Sequence, residues 1–349
     1  MTEDCLDLYS MLSPVPKKNL LVEEDCHIWC GCLIEGYDGK YHYYYSRWPK
    51  EMGHYAWVTD SEIAYAVSDT PDGPFRKMGT ILGKRSLTFW DGAAVHNPQV
   101  IKWNGKYYLY HMGTTCERAI SYPASAKEAA WWEYRNNQKI GVAVASDPSG
   151  PWQRLDSPIL DKSADPAAFD ALCVTNPAPV VTPDGKILLI YKGVSDGNLP
   201  YGASVRYGVA AAERPEGPYQ KYPGCIFEQK DGTQKVRMAA EDPFVMVYHG
   251  LYYAVTRDVE GIFTGIKGAF CLFVSKDGVN WEIARHPLVY GTETTWADGS
   301  KTQGQLERPF VLQDRNGEPI MLLGAITTQT DTEGKRLHSG SLRVPLKRK

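Results

Sequence analysis

The chain has 349 residues, 43% of them hydrophobic, which fits one large domain or two ordinary ones and excludes a disordered chain. Lys plus Arg is 38 and Asp plus Glu is 41, a formal net charge of −3; with no basic run before the last few residues, nucleic acid is excluded as the main partner. No uncharged apolar stretch approaches the roughly 18 residues of a membrane span, so no membrane partner is expected.

The first twenty residues, MTEDCLDLYSMLSPVPKKNL, carry acids where a secretory signal needs a positive end and an apolar centre. The expected location is therefore the cytoplasm, or the periplasm or exterior if a leader has been removed. Turn formers are abundant, with 32 Gly and 23 Pro. The aromatics are dominated by 22 Tyr and 10 Trp, which favour strands and can also stack on sugar faces while donating a hydrogen bond at the rim. The eight cysteines contain no C-x-x-C pair. Cys26, Cys30 and Cys32 cluster beside His27, but no second ligand pair follows at zinc spacing, so they read as buried thiols rather than a metal site.

A pattern of strand, glycine turn and aromatic-rich strand recurs five times. In chain order the segments are CGCLIEGYDGKYHYYYSRW (30–48), NPQVIKWNGKYYLYHMG (97–113), NPAPVVTPDGKILLIYKG (176–193), DPFVMVYHGLYYAVTRD (242–258) and RPFVLQDRNGEPIMLLGA (308–325). Their turn glycines, Gly39, Gly105, Gly185, Gly250 and Gly317, are spaced by 65–80 residues, and a Gly turn between such runs is a strong hairpin signal. Third strands follow at 62–69, 139–147, 206–213, 269–277 and 340–346. Four copies then show a turn and an aromatic that open a fourth strand, DGPF (72–75), SGPW (149–152), EGPY (216–219) and DGVNW (277–281), whereas the fifth copy stops after strand three.

Four antiparallel strands repeated five times predict an all-β fold, a single five-bladed β-propeller around a central channel. The blades are expected at about 26–85, 91–160, 170–228, 240–290 and 306–349. The extra length between blades two and three, CERAISYPASAKEAAWWEYRNN (116–137), is an insertion between strands two and three that contains a short helix.

The start of each first strand and each loop joining strand two to strand three open on one mouth of such a ring. The strand starts read HNP (96–98), TNP (175–177), EDP (241–243) and ERP (307–309), with Cys30-Gly31 at the matching place in blade one. Pro suits a first strand residue because it has no donor; the polar residues before it have no such explanation. An Asp also stands six positions ahead of the strand start in the first three blades: Asp25, Asp91 and Asp170. The second convergent place carries Arg47-Trp48, Gly113-Thr114, Lys192 and Arg257-Asp258. Carboxylates crowded among cations are pushed to different pKa values, which is how one acid stays protonated beside one that is ionised.

WDGAAVHNP (90–98), FDALCVTNP (169–177), AAEDPF with GLYYAV after it (239–255) and LERPF (306–310) resemble the five-bladed propeller glycoside hydrolases, the superfamily of families 43, 32, 62 and 117, over residues 25 to 346. The resemblance implies an exo-acting, inverting glycoside hydrolase. Glu241 matches the proton donor and Asp170 is the candidate for the Asp that tunes it. The base's place in blade one is taken by Cys30-Gly31, leaving Asp25 or Asp91, with Asp91 preferred. Asp25, Arg47, Trp48, Trp90, His96, Lys192, Asp242, Arg257, Asp258, Glu307 and Arg308 are the expected substrate-binding residues. No cofactor or metal ligand is assigned, although a structural metal ion in the channel is compatible with the resemblance. The expected partner is a carbohydrate, and the surplus of Arg and Lys hints at an anionic one. A glycoside phosphorylase and a non-catalytic carbohydrate-binding propeller are the alternatives.

Overall fold

All five turn glycines adopt positive φ, between 76° and 84°, the backbone region that glycine enters without steric penalty. Each joins two antiparallel strands, so the local turn chemistry and the pairing agree. The computed structural model describes residues 4–228 and 236–347. It contains five four-stranded antiparallel sheets arranged as a five-bladed propeller.

Blade one is built from Cys26–Glu35, Tyr41–Pro49, Glu62–Ser68 and Arg76–Leu82. Blade two uses Ala94–Trp103, Lys106–Thr114, Lys139–Ala145 and Gln153–Arg154. Blade three uses Cys173–Val181, Ile187–Val194, Val205–Ala212 and Gln220–Lys221. Blade four uses Ala240–Tyr248, Leu251–Asp258, Phe270–Ser275 and Glu282–Tyr290. Blade five has Leu306–Gln313, Pro319–Thr330 and Arg336–Pro345 from the C-terminal end of the chain.

The fifth copy does stop after three strands, and its fourth comes from the other end of the chain. Leu20–Leu21 pairs antiparallel with the outer strand, Leu20 opposite Leu342 and Leu21 opposite Ser341. The ring is thus closed by joining the two ends of the chain in one sheet. Leu6, Leu8, Met11 and Val15, just before this strand, are buried in the same apolar cluster as Leu342 and Val344. Removing residues 1–22 strips that cover and leaves an unpaired strand edge. The truncated chain is expected to unfold at a Tm lower by roughly ten degrees or more and to aggregate on heating, as read by thermal unfolding with light scattering. An unchanged Tm would show that closure does not depend on this segment.

The insertion leaves blade two between its second and third strands, as expected, and carries the helix Ala129–Asn136. Trp131 anchors that helix against the 50–60 connection of blade one: its indole donates to the Tyr55 carbonyl at 2.8 Å, and its ring meets Trp57 edge-on at 5.9 Å. The connection 291–305 behaves differently. Its hairpin, Glu293–Thr295 with Lys301–Gln303, packs on the N-terminal segment through a bridge between Val15 and Trp296.

Candidate active site

Each first strand carries the same irregularity at the residue pair whose second member is Pro in four blades and Gly31 in blade one. In all five blades the register slips so that two residues of strand one oppose a single residue of strand two. This is a β-bulge, which bends the strand and re-aims side chains. The first bulged residue is left-handed every time: Cys30 (φ 57°), Asn97 (58°), Asn176 (53°), Asp242 (56°) and Arg308 (60°). Asn and Asp tolerate this region; Cys and Arg adopt it at a cost.

These five residues meet at the axis and bond to one another. The Cys30 thiol donates to Asn97 Oδ1 (2.9 Å), Asn97 Nδ2 to Asn176 Oδ1 (2.6 Å) and Asn176 Nδ2 to Asp242 Oδ1 (2.5 Å). Arg308 pairs with Asp242 Oδ1 at 3.0 Å and donates to Asn176 Oδ1 at 3.1 Å. Its guanidinium also reaches the Cys30 thiol, closing the ring.

The residue before each bulge faces a cavity of about 280 Å³ above this ring: Trp29, His96, Thr175, Glu241 and Glu307 all line it. Connections between strands two and three complete the wall with His54 and Trp57 from blade one and Arg135 from blade two. The expectation that strand starts and these connections open on one mouth therefore holds. Trp48 closes one side, stacked edge-on against His96 at 5.5 Å.

Glu241 is the most heavily paired carboxylate of the cavity. Lys192 Nζ lies 3.1 Å from its Oε1 and Arg257 Nη1 lies 2.8 Å from its Oε2. Burial pushes its carboxyl up, but the two cations overcome this and hold it down at about 2. Asp242 is driven the other way, to about 6, by burial and by the neighbouring Glu241 charge, against the pull of Arg308. Glu307 bonds Arg336, whose guanidinium lies over the Trp29 ring at 4.8 Å. His96 and His54 are held neutral by burial and by nearby cations, Arg308 for His96 and Arg336 for His54.

Of the residues expected at the site, the structure brings together Glu241, Asp242, Glu307, Arg308, His96, Lys192 and Trp48, with Arg257 reaching Glu241. Asp91 and Asp170 are not among them. Asp91 is fully buried in blade two and binds Arg85 Nε (2.5 Å), Arg154 Nη1 (3.1 Å) and His111 Nε2 (3.4 Å). Asp170 does the same in blade three, with Lys221 and with the Tyr191 hydroxyl at 3.1 Å. Arg154 and Lys221 belong to the outermost strands of their blades, so each Asp clamps an outer strand to the loop that enters the blade.

The clamp has a local code. A Cβ on Gly113 would lie 2.3 Å from the Asp91 Cβ, and one on Gly193 would lie 2.6 Å from the Asp170 Cβ. The preceding aromatics seat against a second glycine, Trp90 on Gly141 and Phe169 on Gly208. Trp90 is therefore a packing residue, stacked on His111 at 5.6 Å, and not a sugar platform.

The other corrections have similarly plain causes. Asp25 is exposed and lies with Arg47 on a separate groove beside blade one, where Arg47 bridges Glu23 and Glu62. Asp258 is fully buried and accepts from the backbone N–H groups of Ile262, Phe263 and Thr264, fixing the loop after its strand. Trp29, His54, Trp57, Arg135, Arg237 and Arg336 were not anticipated. Only Trp29 carried a readable signal, since it occupies in blade one the place that Glu241 occupies in blade four.

Among the described residues no three His, Cys, Asp or Glu side chains converge as metal ligands. The axial ring already holds the Arg308 guanidinium, so a channel cation does not fit there electrostatically. Cys30 and Cys32 are buried free thiols, as expected, and burial raises Cys30 to about 11.

Because its folded carboxyl is depressed to about 2 while an unfolded Asp titrates near 3.8, Asp91 stabilises the fold above pH 4, and that contribution is lost as pH falls toward 2. Asp91→Asn is expected to cost about 2–4 kcal/mol at pH 7, lowering Tm by several degrees, and to flatten the acid-unfolding curve between pH 4 and 2. Equal Tm values for the wild type and Asp91→Asn would refute the clamp.

No protein-family model matches the chain, and no curated protein does. Solved structures do. The fold is similar to a family 117 glycoside hydrolase of the marine bacterium Zobellia galactanivorans, with a TM-score of 0.64 and 20% identity over 92% of this chain and 85% of the other. It is also similar to an endo-arabinase from Bacteroides thetaiotaomicron (TM-score 0.59, 13% identity, 97% of this chain and 98% of the other). A family 43 β-xylosidase/α-arabinofuranosidase from a compost metagenome, in complex with xylotriose, matches at 0.58 with 15% identity over 99% and 96%. The chain has the five-bladed propeller fold of these glycoside hydrolases.

Proposed function

We propose that the protein is a glycoside hydrolase that removes sugar units from a chain end with inversion. The observation that carries this reading is the placement of Glu241 and Glu307. They come from corresponding positions of adjacent blades, face one tryptophan-walled cavity at the channel mouth, and stand 15% and 14% exposed at the side chain. Arg257, bonded to Glu241, also lies in the field of Glu307 and links the two. The connections of blades one and two wall the cavity on one side, which suits a chain end better than a chain passing through. Among the described residues five cations line it against three carboxylates, which favours a carbohydrate that carries negative charge.

Glycosidic cleavage with inversion needs one carboxylate to activate water and one carboxyl to protonate the leaving oxygen, roughly 6.5–9.5 Å apart. The resemblance assigns proton donation to Glu241. The electrostatics favour the opposite role, because two cations keep its carboxylate ionised. On this reading Glu241 is the general base that takes the proton of water, and Glu307, the other glutamate facing the cavity, is assigned the protonation of the leaving group. Asp242, whose carboxyl is raised by burial and by the charges of Glu241 and Glu307, replaces Asp170 as the tuning carboxyl. Trp29, Trp48 and Trp57 supply apolar walls for sugar faces.

A leaving group that needs no proton separates the roles. On oligosaccharides both Glu241→Gln and Glu307→Gln are expected to lose on the order of 10²–10⁴-fold in kcat/KM. On nitrophenyl glycosides Glu307→Gln is expected to recover to within about tenfold of wild type, and Glu241→Gln is not. The reverse recovery would return Glu241 to the donor role. Turnover that requires inorganic phosphate would make the enzyme a phosphorylase, and no product from a broad glycan panel would leave a binding module.

A further inference from the structure

Three of the five cations lining the cavity are matched to its three carboxylates: Lys192 to Glu241, Arg308 to Asp242 and Arg336 to Glu307. Arg135 and Arg237 are not. Among the described residues neither has a carboxylate at ion-pair distance, although both line the same cavity. Their contacts orient them without neutralising them. Arg135 donates to Asn136 Oδ1 at 3.0 Å and lies over the Trp132 ring at 5.8 Å. Arg237 donates to the backbone carbonyls of Tyr201 and Gly202.

Two guanidinium groups facing one partly desolvated space repel each other. Burial, and then the Arg135 charge, make the Arg237 cation harder to hold, and only the field of Glu241 opposes them. An arrangement that costs free energy when empty is relieved by an anion, and guanidinium forks match carboxylate and sulfate oxygens. Both arginines also come from outside the five-fold repeat. Arg135 sits on the inserted helix, and Arg237 on the connection between blades three and four. The cations that the sequence suggested for this purpose, Arg47, Lys192, Arg257 and Arg308, are all held by carboxylates.

We propose that Arg135 and Arg237 form an oxyanion subsite that grips a carboxylate or sulfate ester carried by the sugar itself, so that the substrate is an acidic glycan. The proposal rests on the reading of this cavity as a sugar site but not on the roles of Glu241 and Glu307. Arg135 Nη1 lies 3.7 Å from the Cys173 thiol, which also feels the Lys192 charge, so the subsite is on the blade-three side of the cavity.

The test is a binding titration at constant ionic strength with methyl glucuronide, methyl galacturonide, a sulfated methyl galactoside, their neutral methyl glycosides and inorganic phosphate. It is followed by calorimetry on the full chain, in wild type, Glu241→Gln, Arg135→Met/Arg237→Met and the charge-preserving Arg135→Lys/Arg237→Lys. At least one acidic glycoside is expected to bind wild type and Glu241→Gln on the order of 10–100-fold more tightly than its neutral counterpart. The double Met variant is expected to lose that preference, and the Lys variant, which keeps charge without the fork, to retain part of it. Neutral and acidic glycosides binding alike, or a preference that survives in the double Met variant, would overturn the subsite. So would phosphate binding more tightly than every acidic glycoside, since the anion would then be a free co-substrate. Acidic binding without any turnover would remove the hydrolase reading and leave the subsite standing. Acidic oligosaccharides hydrolysed no faster than their neutral counterparts, in wild type and double Met variant alike, would do the reverse.

Discussion

Five bulges set around one axis are the constraint on which the rest of the molecule depends. A regular ladder would carry alternate side chains of each first strand up and down the channel. The extra residue instead turns one side chain inward to bond its neighbours around the axis and leaves the residue before it facing the mouth. The inward set is mutually hydrogen-bonded, with Cys30, Asn97, Asn176 and Asp242 buried and Arg308 half-buried, so its left-handed backbone is held by partners on adjacent blades. A buried polar network of this kind specifies a structure only when its members are satisfied. Here the one guanidinium is balanced by the one carboxylate, which keeps a buried charge from standing alone.

With the floor built in this way, the position before each bulge is the one that faces the cavity. That position is Trp29, His96, Thr175, Glu241 and Glu307 in turn, a different residue in every blade. The asymmetry is what a site on a pseudo-symmetric ring needs, because one axis offers one reaction centre. A residue that recurs at the same place in successive blades serves each blade instead. Asp91 and Asp170 are of that kind, each seated over a glycine and tied to its own outer strand. Their regular spacing, which drew them into the catalytic set, was in fact the mark of a structural clamp.

The additions to the repeat supply what the repeat cannot. The 50–60 connection and the inserted helix pack on each other through Trp57 and Trp131, raising one wall of the cavity with His54, Trp57 and Arg135. The local field changes with them. In a chain of net charge −3, the described residues at this mouth include five cations against three carboxylates, a field that favours negative charge beside Glu241 and Glu307.

What the amino-acid sequence determined by itself is the repeat. The glycine turns dictate hairpins, their spacing dictates five copies, and the Pro that opens four of the first strands marks the bulge. Hence Glu241, Asp242, Glu307, Arg308, His96, Lys192 and Trp48 could be placed at one mouth by counting strands. What only the tertiary structure decided is which charges are already spent. Arg47 and Lys192 look alike on paper, yet one bridges Glu23 and Glu62 on an outer groove and the other grips Glu241. Trp90 and Trp48 are both tryptophans expected at the mouth, yet Trp90 fills a glycine-lined slot inside its blade. Arg135, Arg237, Arg336 and His54 lie on connections or a third-strand start that have no period to read. Pairing is a contact between distant segments, so it is set by how the ring closes and not by any local run of residues.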